Sequence, residues 1–296
     1  MGAEADRRPT VKQHLEAAVA WSLFYVVRLL PVRFASAIGG WIGRTIGPRV
    51  GKHRLARRNL KMAMPELDDA AVEAILHDMW DNLGRTVFEF PHLRRFKTTG
   101  PDAEIEIVGG DVIARMRDDG KPGIFVAAHL GNWEVGPVCL IEYGLPAHMF
   151  YRAPNNPLME PLFANRHPGS GELLPKGTRG ARRALQLLSQ GEHLGILIDQ
   201  KMNDGIPVPF FGRDAMTAPA LAQFALRFDC PVVMTRIERL EGCRFRVTLS
   251  EPMPLPRSGD HDADILALMT EVNRVLEGWI RERPAQWFWV HRRWPD

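Results

Sequence analysis

The sequence predicts an α/β fold: a mixed central sheet flanked by helices, with an N-terminal helical region suited to a membrane surface. Three observations predict it. Beyond residue 68, short aliphatic and β-branched runs alternate with amphipathic stretches, the pattern of a sheet covered by helices. Residues 1–61 concentrate basic and uncharged apolar side chains. One apolar run, Gly123-Ile124-Phe125-Val126-Ala127-Ala128, leads straight into a histidine, as a strand end does when it delivers a side chain to a crevice.

The N-terminal region comes first. Residues 1–61 hold twelve Lys and Arg against three Asp and Glu, a net +9, whereas the remainder holds 26 against 32, a net −6. Such a basic segment fits a polyanionic surface, nucleic acid or anionic lipid. The residues between the bases favour lipid. Residues 17–27 are uncharged and apolar, with Trp21 and Tyr25 suited to a headgroup interface. These eleven residues fall well short of the ~20 that span a bilayer, and they lack a signal-peptide cleavage site. Gly39, Gly43 and Gly47 repeat every four residues, as in closely packed membrane helices, and a basic collar from Arg49 to Lys61 follows. Two readings stand: an internal helical pair, or a helical anchor lying in the cytoplasmic leaflet. The second divides the chain into an anchor, 1–61, and an α/β domain, 62–296. Aromatic and aliphatic crowding argues against nucleic acid as a partner.

The remaining elements follow in order. Residues 68 to about 90 form an amphipathic helix with Val72, Ile75, Leu76, Met79, Leu83 and Val87 on one stripe. Strands are expected at 104–108, 123–128, 147–152, 193–199, 231–237 and 244–250. Helices are expected at 132–143, 157–166, 179–190, 219–228 and 263–281, the last with Ile265, Leu268, Met269, Val272, Val275, Leu276 and Trp279 on one face. Residues 252–261 read as a polar, proline-rich loop. Three scattered cysteines suggest neither a disulfide framework nor a zinc site and fit a reducing compartment. HExxH, P-loop and Gly-x-Ser-x-Gly patterns are absent.

The chemistry is concentrated in His129-Leu130-Gly131-Asn132-Trp133-Glu134. A strand end presents the imidazole, and the expected helix start favours the carboxylate. Glu134 is therefore expected to hold one ring nitrogen of His129 while the other takes a proton, making His129 a general base. The dull alternatives are a structural histidine and a glutamate that merely complements a helix dipole. Asp199 and Arg152 also end expected strands. Asp199 is a candidate to position Arg152 or a substrate group, with Gln200 and Lys201 adding polar contacts, although Lys201 reads equally as solvated. Phe210-Phe211 reads as core or as the lining of an acyl tunnel, and the tryptophan-rich tail as half packing, half interfacial anchor.

These residues carry a resemblance. The His-x-x-x-x-Glu motif, Tyr151-Arg152-Ala153-Pro154-Asn155-Asn156-Pro157, Asp199-Gln200-Lys201, Val208-Pro209-Phe210-Phe211-Gly212 and the block from Pro284 to Trp294 together resemble the bacterial lipid A biosynthesis acyltransferases, the late lauroyl/myristoyl transferases. The similarity extends over nearly the whole chain and implies the glycerolipid acyltransferase-like fold. Glycerol-phosphate acyltransferases usually carry aspartate where Glu134 stands, and their Glu-Gly-Thr-Arg-Ser block is absent here. Phosphatidylinositol mannoside acyltransferases share a similar His-Ser-Gly-Asn-Trp-Asp pattern, which leaves another phosphoglycolipid or a lysophospholipid as an alternative acceptor. A non-catalytic lipid-binding membrane protein is the alternative of another class.

The resemblance implies a lipopolysaccharide-biosynthesis enzyme at the cytoplasmic face of the cell inner membrane. It would move a fatty acyl chain from acyl carrier protein, an acidic partner, to a hydroxyl of a 3-hydroxyacyl chain on a lipid A precursor. The acceptor is an anionic glycolipid, and no metal or other cofactor is implied. His129 and Glu134 are then the catalytic pair. Asn132, Arg152, Asp199, Gln200 and Lys201 are the substrate-binding candidates, with Arg152 either gripping a lipid A phosphate or anchoring the Asn155-Asn156-Pro157 turn.

Overall fold

The computed structural model describes residues 9–164 and 166–294. The first eight residues of the basic segment, Asn165 of the expected helix 157–166 and the last two residues lie outside it. Four helices lead: α1 (Val11–Leu29), α2 (Val32–Ile46), α3 (Lys52–Ala63) and α4 (Asp69–Glu89). Then come β1 (Ile105–Val108), α5 (Gly110–Asp118), β2 (Gly123–Ala127), α6 (Gly136–Glu142), β3 (Ala147–Tyr151), α7 (Glu160–Ala164), β4 (Leu173–Pro175), α8 (Thr178–Ser189) and β5 (His193–Leu197). The chain continues through β6 (Ile206–Phe210), β7 (Arg213–Thr217), α9 (Ala220–Phe228), β8 (Val232–Arg239), β9 (Phe245–Leu249) and α10 (His261–Glu282).

Seven strands form one sheet in the order β1-β9-β8-β2-β5-β3-β4. Five of them, β8 to β4, run parallel, and β9 turns antiparallel to β8, so the sheet is mixed as expected. Strand β2 sits inside the parallel part, which explains its continuous apolar run. Its Ile124 and Val126 enter the core shared with α4, α8, α9 and α10, whereas Phe125 enters the core on the opposite face with α5 and α6. The sequence reading missed α5, β4 and the hairpin β6–β7. The hairpin pairs Pro207 and Pro209 against β7 and forms its own two-stranded sheet, where proline is tolerated. The expected helix 132–143 begins as a 3-10 turn, Trp133–Val135, before α6.

The N-terminal helices are packed against the rest of the chain. On α2, a Cβ on Gly39 would fall on the Gly84 carbonyl and one on Gly43 on the Trp80 carbonyl, so α2 and α4 approach backbone to backbone. The glycine spacing thus serves a helix pair within the protein. Helix α1 opens with a capping box, Thr10 with Gln13. It is tied down by the Asn156 amide donating to the Gln13 carbonyl (2.8 Å) and the Trp21 indole donating to the Leu158 carbonyl (3.2 Å). Among the described residues no helix is long and apolar enough to cross a membrane.

Candidate active site

Strands β2 and β5 are neighbours in register, with Ala127 opposite Leu197. His129 and Asp199 each lie two residues beyond that pair, so both emerge at the same sheet edge. The His129 Nδ1–H donates to Asp199 Oδ1 at 2.7 Å, and the His129 backbone N–H donates to Oδ2 at 2.9 Å. The Trp287 indole adds a third donor to Oδ2 at 2.8 Å. Asp199 has no exposed surface. Burial would raise its carboxyl, but the His129 imidazole holds it well below the usual carboxylate range. This arrangement leaves His129 Nε2 as the proton acceptor, with the Gln200 amide 3.4 Å away.

Glu134 does not hold the imidazole. Its carboxylate accepts from Arg166 Nε and His167 Nε2, each at 2.8 Å. Burial would raise this carboxyl too, yet the His167 hydrogen bond and the Arg166 charge bring it down to about 2. The reason for the correction is geometric. The loop turns sharply at Gly131, which has φ +58°, and a Cβ there would lie 2.7 Å from the Ile237 carbonyl. The 3-10 turn then carries Glu134 towards the segment after α7, while the ring meets β5.

Asn132, expected at the substrate, is fully buried and committed to structure. Its amide donates to Glu89 Oε2 (2.8 Å), and its oxygen accepts from the Glu134 N–H (3.2 Å). Beneath it, Arg239 of β8 forms a two-pronged ion pair with Glu89 of α4 (2.5 and 2.9 Å) and reaches Asn82 Oδ1 (2.7 Å). The Asn82 amide in turn donates to the Gly131 carbonyl at 3.0 Å. The turn is therefore fixed from below by a buried, densely hydrogen-bonded network.

The C-terminal block closes the site from the other side. The Phe288 N–H donates to the His129 carbonyl (3.1 Å), and the Gly131 N–H donates to the Gln286 carbonyl (3.0 Å). Trp287, Trp289 and Trp294 are essentially inaccessible and pack with Phe210 and Phe211, so these aromatics are core rather than interfacial anchor or tunnel lining. His291 donates through Nε2 to the Asp199 carbonyl (3.1 Å), and burial depresses its pKa to about 4, keeping it neutral. Helix α3 supports this segment: the Asn59 amide donates to the carbonyls of Trp289 and His291.

Of the remaining candidates, Arg152 is exposed at the end of β3 and contacts Asn155 Oδ1 (3.3 Å). Gln200 bridges from His129 to Lys176, accepting from its ammonium at 2.7 Å. Burial, then repulsion from Arg152, lowers the Lys176 pKa. Lys201 is half-buried and makes no polar contact among the described residues. Beside the histidine, Trp133 lies 5.0 Å from it, ring to ring, and bounds a cavity of about 70 Å³ that runs between the sheet and α6. Ala127, Leu140, Met149, Leu197 and Ile237 make it apolar, and Glu134 and Arg166 stand at its edge.

Sequence reasoning placed His129 correctly at a strand end but gave its partner the wrong number. The equal two-residue offset of His129 and Asp199 becomes informative only once β2 and β5 are known to be neighbours. Arg166, His167 and Arg239 carried no local signal.

A family model described as bacterial lipid A biosynthesis acyltransferase matches residues 8–296. A lipid A biosynthesis palmitoleoyltransferase of Escherichia coli (strain K12) is 22% identical over 280 residues, covering 89% of this chain and 86% of its own. A lipid A biosynthesis acyltransferase of Haemophilus influenzae is 22% identical over 308 residues, covering 97% and 94%.

Proposed function

The chain belongs to the bacterial lipid A biosynthesis acyltransferase family, and from that premise we propose how its site works. It moves a fatty acyl chain from acyl carrier protein to the hydroxyl of a 3-hydroxyacyl chain on a lipid A precursor. The observation that carries this reading is His129: one ring nitrogen is held by a buried carboxylate, and the ring packs against Trp133, which walls an apolar cavity.

A secondary alcohol is a weak nucleophile until its proton is removed during attack. The acceptor hydroxyl gives its proton to His129 Nε2 as its oxygen bonds to the thioester carbonyl carbon. Asp199, ionised and hydrogen-bonded to Nδ1, stabilises the imidazolium. The tetrahedral intermediate then expels the carrier thiolate, which recovers the proton from His129. The side chain serving as orienter is Asp199, with Glu134 instead fixing Arg166 at the cavity edge. No acyl-enzyme is invoked, and burial pushes the Cys139 and Cys230 thiols up, to about 12 for Cys230.

The cavity suits the donor's acyl chain, since such sites are mostly apolar. Lys176, bonded to Gln200 beside His129, and the neighbouring Arg152 give the site positive charge for an anionic substrate. Exposed apolar side chains on α1 and α2, among them Val11, Leu15, Val19, Phe34 and Trp41, support association with the cytoplasmic face of the inner membrane, where the acceptor resides.

The test is transfer from acyl carrier protein to a lipid A precursor, followed by mass spectrometry of the product. His129→Ala should lower turnover by roughly 10²–10⁴-fold with the fold intact, the usual contribution of a positioned base. Wild-type turnover in that variant would overturn the mechanism, and an acylated product other than a lipid A precursor would overturn the acceptor.

A further inference from the structure

The apolar cavity beside Trp133 ends at a definite rung of the sheet. Phe125 of β2 is in register with Gly195 of β5, and Gly195 with Met149 of β3. These three residues share one rung, and all three line the cavity. Ala127 and Leu197, on the rung nearer His129, line it as well. The rung before, formed by Gly123, His193 and Ala147, is absent from the lining. Its space is already taken. A Cβ on Gly123 would fall on the Met116 methyl, and the His193 Nε2–H donates to the Met116 carbonyl at 3.1 Å. The cavity therefore has a floor made of Phe125, Gly195 and Met149.

Gly195 is out of place in an interior strand unless something needs the room. Glycine weakens a strand and often marks the close approach of another group. Here that group is Met149: a Cβ on Gly195 would fall on the Met149 sulfur and lie 2.7 Å from its methyl carbon. The thioether thus lies across the bare β5 backbone. Phe125 is buried, whereas Met149 is half-buried and unbranched, with three rotatable bonds. It is the floor side chain whose position a small change at residue 195 can reset. We propose that Met149, seated on Gly195, is the specificity-determining residue that sets the longest acyl chain the cavity accepts.

Distance and chemistry fit that role. Phe125 precedes His129 by four residues, roughly 13 Å at the strand rise of about 3.3 Å per residue. A medium-length acyl chain covers such a distance from a thioester placed at His129. Trp133 lines the cavity and packs on the His129 ring, so the cavity and the base share a wall. Ala127, Leu140 and Leu197 make the walls above the floor apolar, so the cavity discriminates by length. One methylene too many in a hydrophobic pocket costs about tenfold or more in kcat/KM. The role of the floor rests on the acyl-transfer reading; its geometry does not.

The experiment is turnover of the full chain with a ladder of saturated acyl carrier protein donors that differ by two carbons. Met149→Ala should deepen the cavity and raise kcat/KM for the first donor longer than the wild-type optimum at least tenfold, relative to that optimum. Gly195→Ala should push the thioether into the cavity and move the optimum to a shorter donor. The double variant should lie between wild type and Met149→Ala, because the added methyl refills part of the space the sulfur left. Met149→Leu conserves volume and should keep the wild-type optimum. An unchanged optimum in Met149→Ala, or a shift in the same direction in both folded single variants, would overturn the proposal. Should Gly195→Ala fail to fold, Met149→Ala and Met149→Leu decide alone. Binding is read separately, by displacement of a fluorescent fatty acid with a fatty-acid ladder from protein held in amphipol. Should no donor be used at all, the acyl-transfer reading fails, while the displacement series still decides the floor: its length optimum moves with Met149→Ala if the proposal holds and stays fixed if it does not.

Discussion

Asp199 keeps its charge without water because three N–H groups replace the water: the backbone and Nδ1 of His129 and the Trp287 indole. That same set fixes the histidine tautomer. Asparagine at 199 would present an amide N–H to Nδ1 and favour the ring form with its proton on Nε2, which cannot accept another. Asp199→Asn should therefore lower turnover by roughly 10⁴-fold, as loss of the correct tautomer does in catalytic triads. A double-mutant cycle separates the two carboxylates. Asp199→Asn should cost little more in a His129→Ala background, and Glu134→Gln should be non-additive with Arg166→Gln, because each pair acts as a unit. If instead Glu134→Gln proves non-additive with His129→Ala and additive with Arg166→Gln, the orienting role returns to Glu134. The sequence exposed the histidine because a strand ending in His129 is a local pattern. Its partner was hidden because strand order is decided by crossovers, and the nearer carboxylate in sequence was turned away by Gly131.

Elements outside the sheet determine how firmly that turn is held. Helix α4 contributes Glu89 and Asn82, β8 contributes Arg239, and α2 reaches in through the Ser36 hydroxyl, which donates to Glu89 at 2.6 Å. Arg239→Met would strand the Glu89 carboxylate, whose residue has no exposed surface, and should destabilise the protein by about 3–5 kcal/mol. The same variant should reduce turnover, since Asn82, which donates to the Gly131 carbonyl, loses the Arg239 N–H that fixes its amide. Adding Glu89→Leu should recover much of the stability, read as the urea midpoint, because no buried charge then remains. A double variant no more stable than Arg239→Met would show that the network stabilises by shape rather than by pairing charge. Helix α4 itself was legible from its apolar stripe. Its inward polar residues were not, because a buried Asn or Glu has the same local sequence signature as a solvated one. The tryptophan-rich tail shows the complementary ambiguity: amphipathic aromatics suit an interface and a core equally, and only the pairing with β6 and the loop of His129 assigns them to the core.

At the scale of the whole molecule, helix α1 is apolar on two sides. Ala17 and Val27 are buried against the domain, while Val11, Leu15 and Val19 stand 87%, 68% and 63% exposed on the other side. Helix α2 adds Phe34 and Trp41 at 57% and 61%. Apolar side chains so concentrated on one end of a protein mark an interaction surface rather than scattered surface residues. The basic residues of the same segment, Arg28, Arg33 and Arg49 among them, add attraction to anionic lipid worth about 1 kcal/mol each near such a surface. Under the proposed function, α1 and α2 are the face that lies along a bilayer, a reading that accommodates both the apolar sequence and the absence of a spanning helix among the described residues. Replacing Leu15, Val19 and Trp41 together by Ser removes apolar area without touching the buried face. Burying a large apolar side chain contributes roughly 1.5–3 kcal/mol, and even partial insertion of three should make the loss at least tenfold in partition onto phosphatidylglycerol vesicles. High salt should lower binding further by screening the arginines. Helical content and thermal midpoint should stay at wild-type values, because these positions support nothing beneath them. Vesicle binding equal to wild type in the folded triple variant would place the lipid contact on another face and detach it from α1 and α2.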